Sequence, residues 1–446
     1  MDQQQGQFHL FTQRRFLPFF ITQFLGAFND NLFKNALLVI IVSAGVSATA
    51  SSTNFLTNLA AGLFILPYFL FSTTAGQLAD KYDKSWLIRR VKFAEIIIML
   101  VGCIALYNTN IVLMMSVLFL LGVQSAFFGP IKYSIIPQHL SAAELMAGNA
   151  LVGMGTFVSI LLGTLLGGWL ITYEFGTVWV GALAVVIAMA GWWSSCQIPF
   201  APADKGDIII SLNPVREAWR NLGFARENMT VFYCILGISW FWLFGGSFLT
   251  QVPNFAITVL QGHPTLISVL LAAFIIGVAI GSILCAKVSG QQVEPGLIPL
   301  GAIGLTVFSA DIFFSSGAYQ LANLSANGVT PFQFLGLNGG IRVFIDLLAI
   351  GMFGGIFIVP LYAMVQSRTP SNKRARVIAA NNVFNAIFMV SGALIGIVCL
   401  SILQMSIPQF FLTISAANLL FLMMLIWRVP EFKLRFLAWV TNRRAA

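Results

Sequence analysis

Charge is what this sequence has least of: Asp, Glu, Lys and Arg together supply 9% of its 446 residues, against about 25% in soluble domains. Hydrophobic side chains supply 58%, which leaves too little polar surface to coat a water-soluble enzyme. Histidine is rarer still. His9, His139 and His263 have no metal-ligand partners at coordinating spacings, and the His139 to Glu144 interval, which resembles the His-x4-acid spacing of acyltransferases, has no globular domain around it. The cysteines, Cys103, Cys196, Cys234, Cys285 and Cys399, are odd in number and scattered through apolar stretches without a Cys-x-x-Cys pair. They give neither a disulfide framework nor a zinc site, and no bound cofactor is expected.

Apolar runs fill the chain instead. At about 20 residues per crossing, they fall near residues 16–42, 54–76, 86–107, 110–132, 144–171, 177–197, 230–260, 264–286, 295–316, 338–365, 377–402 and 407–427. This predicts an all-α integral membrane protein with twelve transmembrane helices. An even number puts both termini on one face, and the basic residues choose it. Arg14 and Arg15 precede the first span; Lys81, Lys84, Arg89, Arg90 and Lys92 follow the second; Lys205, Arg216, Arg220 and Arg226 follow the sixth. Lys287, Arg368, Lys373, Arg374 and Arg376 follow the eighth and tenth, while the opposite connections contain no Lys or Arg. Both termini are therefore expected in the cytoplasm. The same clustering accounts for the net charge of +9, so no nucleic-acid partner is expected. The first run is too long for a signal-peptide core and should remain as a helix.

The longest polar interruption splits the spans six and six, giving an N-terminal bundle over 1–198, a linker over 199–229, a C-terminal bundle over 230–428 and a basic segment over 429–446. Asn213-Pro214 reads as an N-cap followed by proline at the first helical position. Leu212, Val215, Trp219 and Leu222 then share a stripe, as expected of a short helix lying on the inner membrane surface. A second amphipathic stretch opens at Pro430, with Phe432, Phe436 and Trp439 against Lys433, Arg435, Arg443 and Arg444. The halves echo each other: Leu145–Asn149 resembles Val377–Asn381, and Val158-Ser159 resembles Val390-Ser391 at the same offset. Parallel repeats place a site near the midplane.

An ionisable group at membrane depth costs about 2.5–3.5 kcal/mol on insertion scales, so those present are candidates for function. The first span holds the densest set, Asn29, Asp30, Asn31, Lys34 and Asn35, with Asp30 and Lys34 one turn apart and able to neutralise each other. Lys132 follows the Gly129-Pro130 break near one end of the fourth span. Arg342 and Asp346 lie one turn apart in the tenth, where Arg342 runs against the positive-inside bias. Glu95, Glu294 and Asp311 sit nearer span ends, as gating pairs or solvated ends.

Gly76-Gln77-Leu78-Ala79-Asp80-Lys81-Tyr82-Asp83-Lys84 resembles the signature loop of the major facilitator superfamily. By that resemblance Gly76, Asp80, Lys81 and Lys84 belong to the conformational gate, the aspartate pairing with helix ends of the other bundle. Asp83 stands where that pattern has glycine, and the second half keeps only Gly281, Ile283 and Lys287. Gln23–Leu32, Phe128–Ser134 and Phe357–Leu361 are similar to the bacterial lysophospholipid transporter family within that superfamily. The resemblance implies headgroup roles for Asp30, Asn31 and Lys132 and an acidic position beside the ninth span at Glu294. Trp240, Phe241, Trp242 and Phe248 occupy a region where some members carry an arginine.

The chemistry is compatible with such a substrate. Lys132 or Lys34 would meet a phosphate, Asp30 or Asp346 an ammonium, and some of the 41 phenylalanines an acyl tail. The expected function is a monomeric alternating-access carrier in the bacterial cytoplasmic membrane. It would move lysophosphatidylethanolamine- or lysophosphatidylglycerol-class lipids from the outer to the inner leaflet, for reacylation by a cytoplasmic acyltransferase or acyl-ACP synthetase. An ion-coupled exporter of drugs or small metabolites shares the expected fold, and a membrane scaffold that docks an acyltransferase is a third reading. Sodium and proton coupling both stay open.

Overall fold

The computed structural model describes residues 6–45, 50–203, 208–290, 292–317 and 328–441; Lys205, Arg443 and Arg444 lie outside them. Among the described residues twelve helices reach 20 residues or more. They are α1 Leu17–Gly45, α2 Ala50–Lys81, α3 Lys84–Tyr107, α4 Ile111–His139, α5 Leu145–Leu170, α6 Gly176–Ser195, α8 Met229–Asn254, α9 Pro264–Val288, α10 Leu297–Gly317, α12 Gly340–Arg368, α13 Ser371–Ile397 and α14 Ile407–Arg428. Three shorter ones join them: α7 Pro214–Arg226, α11 Pro331–Gly336 and α15 Pro430–Val440. α8 and α13 each continue into one wider π turn, Phe255–Val259 and Val398–Ile402.

Among the described residues eleven helices are long and apolar enough to cross a membrane on length and composition. The other long one, α3, carries Lys84, Arg89, Arg90, Lys92 and Glu95 in its first half, and Lys84, Lys92 and Glu95 are buried against protein. Three boundaries differ from the apolar runs. α4 continues through Gly129-Pro130 and Pro137 to His139, so the expected break does not occur and Lys132 is a buried residue inside the helix rather than near its end. α2 continues through Gly76–Lys81 and α13 begins at Ser371, because a helix does not need apolar residues once it leaves the hydrocarbon. The signature segment is thus mostly helical, and only Tyr82 and Asp83 form the turn. Asp83 has φ −55° and caps α3, accepting from the Trp86 backbone N–H and the Ser85 hydroxyl. With a negative φ, that turn has no need of glycine.

The chain groups into two compact units, one of Met1–Ala142, Val158–Met229 and Gln366–Ala386, the other of Ala143–Phe157, Thr230–Val365 and Ile387–Ala446. In the first, α2 packs on α4, and α3 and α1 pack on α6. Leu32, Phe33, Leu37, Met99, Leu106, Leu118 and Leu121 fill the space between them. α5 approaches α1 closely: a Cβ at Gly163 or Gly167 would run into the backbone carbonyls of Phe28 and Leu32. These are small-residue contacts of the kind that hold helices together in lipid.

In the second unit α10 packs on α14. Asn418 fastens them, its Nδ2 donating to Ala302 O and Thr306 Oγ1, both at 2.9 Å, while its Oδ1 accepts from Trp240 Nε1 at 2.8 Å. Trp240 stacks on Phe421 and Phe248 on Phe411, with centroids 4.7 and 4.3 Å apart. Gly281, read from sequence as a remnant of a second gate motif, lies inside α9 against the Met352 backbone; it is a packing residue.

Replacing Gly167 with leucine should separate α1 from α5 and destabilise the first unit by about 1–3 kcal/mol. Thermal unfolding in detergent, followed by tryptophan fluorescence, checks this. Gly62→Ala, with open space around its Cα, should leave the midpoint unchanged or slightly raised.

Candidate functional site

The polar residues of α1 do not form the self-neutralising pair expected from their spacing. Asp30 turns to α4, where Ser125 Oγ donates to its Oδ2 at 2.6 Å. Lys34 reaches back three residues, donating to Asn31 Oδ1 at 2.8 Å, and its ammonium lies 5.4 Å from the Phe64 ring centroid. Asn31 donates to Ala27 O and Asn35 to Thr164 O. Asp30 and Asn31 are each 7% exposed, and Asp30 Oδ1 has no hydrogen-bond partner among the described residues. A buried carboxylate oxygen in that state is open to a ligand's positive group.

Around Asp30 the structure assembles residues that the sequence reading left aside or misplaced. Glu95, which looked like a helix end, is fully interior. It accepts from Lys92 Nζ at 2.5 Å, Gln124 Nε2 at 2.9 Å and Asn29 Nδ2 at 3.1 Å. The available signal was the Lys92 to Glu95 spacing on α3, which allows a pair within one turn. Nothing in sequence placed Gln124 and Ser125 opposite α1. Lys132 is buried on the same helix as Ser125, 5.2 Å from the Tyr133 ring centroid. It lies seven residues further on, roughly 10 Å along the axis and on the same face.

A second arrangement joins α2 to the start of α13. Asp80, fully buried, accepts from Arg376 Nε at 2.9 Å and from the Ala375 backbone N–H at 3.1 Å. A Cβ on Gly76 would lie 2.7 Å from Ala379 Cβ and 2.9 Å from Ala375 O, so glycine is needed for this approach. The linker is clipped to the same place. Lys81 Nζ donates to Ile208 O, Gln77 exchanges two bonds with the Ser211 backbone, and Asp83 and Lys84 pair with Ala201. α7 begins as expected, with Asn213 Oδ1 accepting from the Arg216 N–H. Its Phe224 ring lies under Lys373 and Arg376, and its C-cap residue Glu227 pairs with Lys373 at 2.8 Å.

In the second unit Arg342 pairs in two-pronged fashion with Asp311 of α10, while Asp346, one turn on, accepts from Ser315 Oγ at 2.8 Å. Glu294 is not brought to either charged group. Its carboxylate accepts from the Gly296 N–H, ordering the turn before α10, and it makes no ion pair among the described residues. No cluster of His, Cys, Asp and Glu among the described residues has the makings of a metal site.

The family profile of the Major Facilitator Superfamily matches residues 19–341. The chain belongs to the major facilitator superfamily. As a member it is a multi-pass membrane transporter. Curated relatives include the Lysophospholipid transporter LplT of Enterobacter sp. (strain 638), 25% identical over 364 residues and 78% of each chain. That of Cronobacter sakazakii is 26% identical over 385 residues, 82% of this chain and 83% of the relative. Among solved structures, the human organic anion transporter MFSD10 (TETRAN) superposes with a TM-score of 0.73 at 14% identity, over 92% of this chain and 99% of the other. FucP, a major facilitator transporter in its outward conformation, gives 0.68 at 13% over 93% and 99%. At these identities the likeness concerns the fold.

Arg376→Gln leaves the Asp80 carboxylate buried without its countercharge and should cost about 3–5 kcal/mol of stability. Removing both charges, as Asp80→Asn with Arg376→Gln, should recover most of that loss. Thermal midpoints of the purified carrier in detergent distinguish the two variants.

Proposed function

We propose that this carrier moves lysophospholipids from the outer to the inner leaflet of a bacterial cytoplasmic membrane by alternating access, with both termini cytoplasmic, for reacylation inside. The observation that carries the reading is Asp30 with one free oxygen, flanked along the membrane normal by two lysines. Successive helices cross in alternate directions, so α1 and α4 run antiparallel. Lys34 is rooted about 6 Å beyond Asp30 along α1, with its ammonium turned back to Asn31, so it approaches Asp30 from one side and Lys132 from the other.

A zwitterionic head fits that order. Its ammonium binds Asp30 Oδ1, and its phosphate is met first by Lys34 on the outer side and then by Lys132 on the inner side. Charge-assisted bonds of this kind are stronger than neutral ones and favour a headgroup carrying both signs. The acyl chain is left to the apolar helix surfaces. The relatives named as lysophospholipid transporters support this substrate class.

Uptake of labelled lysophosphatidylethanolamine into spheroplasts that lack their own carrier tests the proposal. The intact protein should support uptake, and Asp30→Asn and Lys132→Ala should each lower it by about tenfold or more at equal membrane expression. A well-expressed protein that takes up neither zwitterionic nor anionic lysolipid overturns the reading in favour of an exporter of soluble molecules.

A further inference from the structure

The cluster around Asp30 has a hub with no direct part in the transport steps proposed above. Glu95 is 1% exposed, and its two carboxylate oxygens receive three donors: Lys92, Gln124 and Asn29. Lys92 in turn fills the space where a side chain at Gly26 would stand, 2.5 Å from Glu95 Oε2. A carboxylate bonded in this way fixes which way its amide neighbours point. With its NH2 committed to Glu95, Gln124 presents Oε1 toward Ser125 Oγ, 3.3 Å away. The Ser125 hydroxyl shares its one proton between two acceptors, chiefly Asp30 Oδ2 at 2.6 Å and more weakly Gln124 Oε1 at 3.3 Å, so the Gln124 oxygen helps set the direction of the O–H. Asn29, the chain neighbour of Asp30, is held from the other side by Glu95 and Ala184 O.

We propose that Glu95, neutralised by Lys92, is a positioning residue: through Gln124 and Ser125 it fixes the Asp30 carboxylate with Oδ1 free, and so sets the carrier's preference for headgroups that bear an ammonium. The substrate class rests on the lysophospholipid reading above; the positioning chain does not. A pair serving only to fill the bundle would support all substrates equally. A positioning pair biases one headgroup against another.

The test compares uptake of lysophosphatidylethanolamine and lysophosphatidylglycerol by the intact carrier, Gln124→Leu, Glu95→Gln and the double variant Lys92→Met with Glu95→Gln. The double variant removes both buried charges together and so keeps the fold testable if the single one fails to assemble. The expected result is a fall of roughly tenfold in the ethanolamine-to-glycerol uptake ratio, the effect of one misplaced charged hydrogen bond. In an Asp30→Asn background Gln124→Leu should change the ratio no further. A parallel decline for both lipids, with the ratio intact, overturns the proposal.

If the intact carrier takes up neither lipid, the lysophospholipid reading fails, and a substrate-free measurement decides the positioning chain. Dicyclohexylcarbodiimide modification, read by mass spectrometry, should occur at Asp30 and not at Glu95, and Gln124→Leu should change the rate at Asp30. Equal rates in the two proteins, or ready modification of Glu95 in the intact one, overturn it.

Discussion

Burying a charge away from water is costly unless a partner and hydrogen bonds compensate it, and this constraint organises most of what is polar in the molecule. Lys92 answers Glu95 and Arg376 answers Asp80. Each pair joins its surroundings through further bonds. Asp30 departs from the pattern, with one oxygen served by Ser125 and the other by nothing among the described residues. Lys34 meets neutral Asn31 and Asp346 accepts from Ser315, so what sets Asp30 apart is its buried oxygen without a hydrogen bond, on which the proposed ammonium site rests.

The second constraint is close backbone approach. Lipid offers no hydrophobic drive for helix association, so contact area and small residues must supply it. Gly163 and Gly167 set α5 against α1 and thereby fix the helix that carries Asp30. Gly76 plays the corresponding part at Asp80, where the Ala375 N–H and Arg376 guanidinium reach the carboxylate only because α2 and α13 touch. Packing and electrostatics are coupled at both places, since a larger residue at either contact would pull a charge away from its partner.

The linker shows how far a local pattern can be read. Asn213-Pro214 announced α7, and the helix starts there because the cap and the proline act within four residues. The attachment of that linker to Gln77, Lys81, Asp83 and Lys84 was not legible, because those bonds go to backbone groups more than a hundred positions away. Asp83 looked like a departure from a glycine turn, and its work as a cap for α3 emerged only with its φ and its partners.

The sequence by itself determined the class of protein, the number and order of long helices, and the residues whose burial needs an explanation. Each of those follows from composition, from periodicity or from charges a few positions apart. Tertiary structure decided the partners. Spacing paired Asp30 with Lys34, whereas packing of α1 on α4 gave Asp30 to Ser125 and left Lys34 to Asn31. It also moved Glu95 from a presumed helix end to the centre of a network, because the helices facing it, α1 and α4, supply donors whose positions no local pattern encodes.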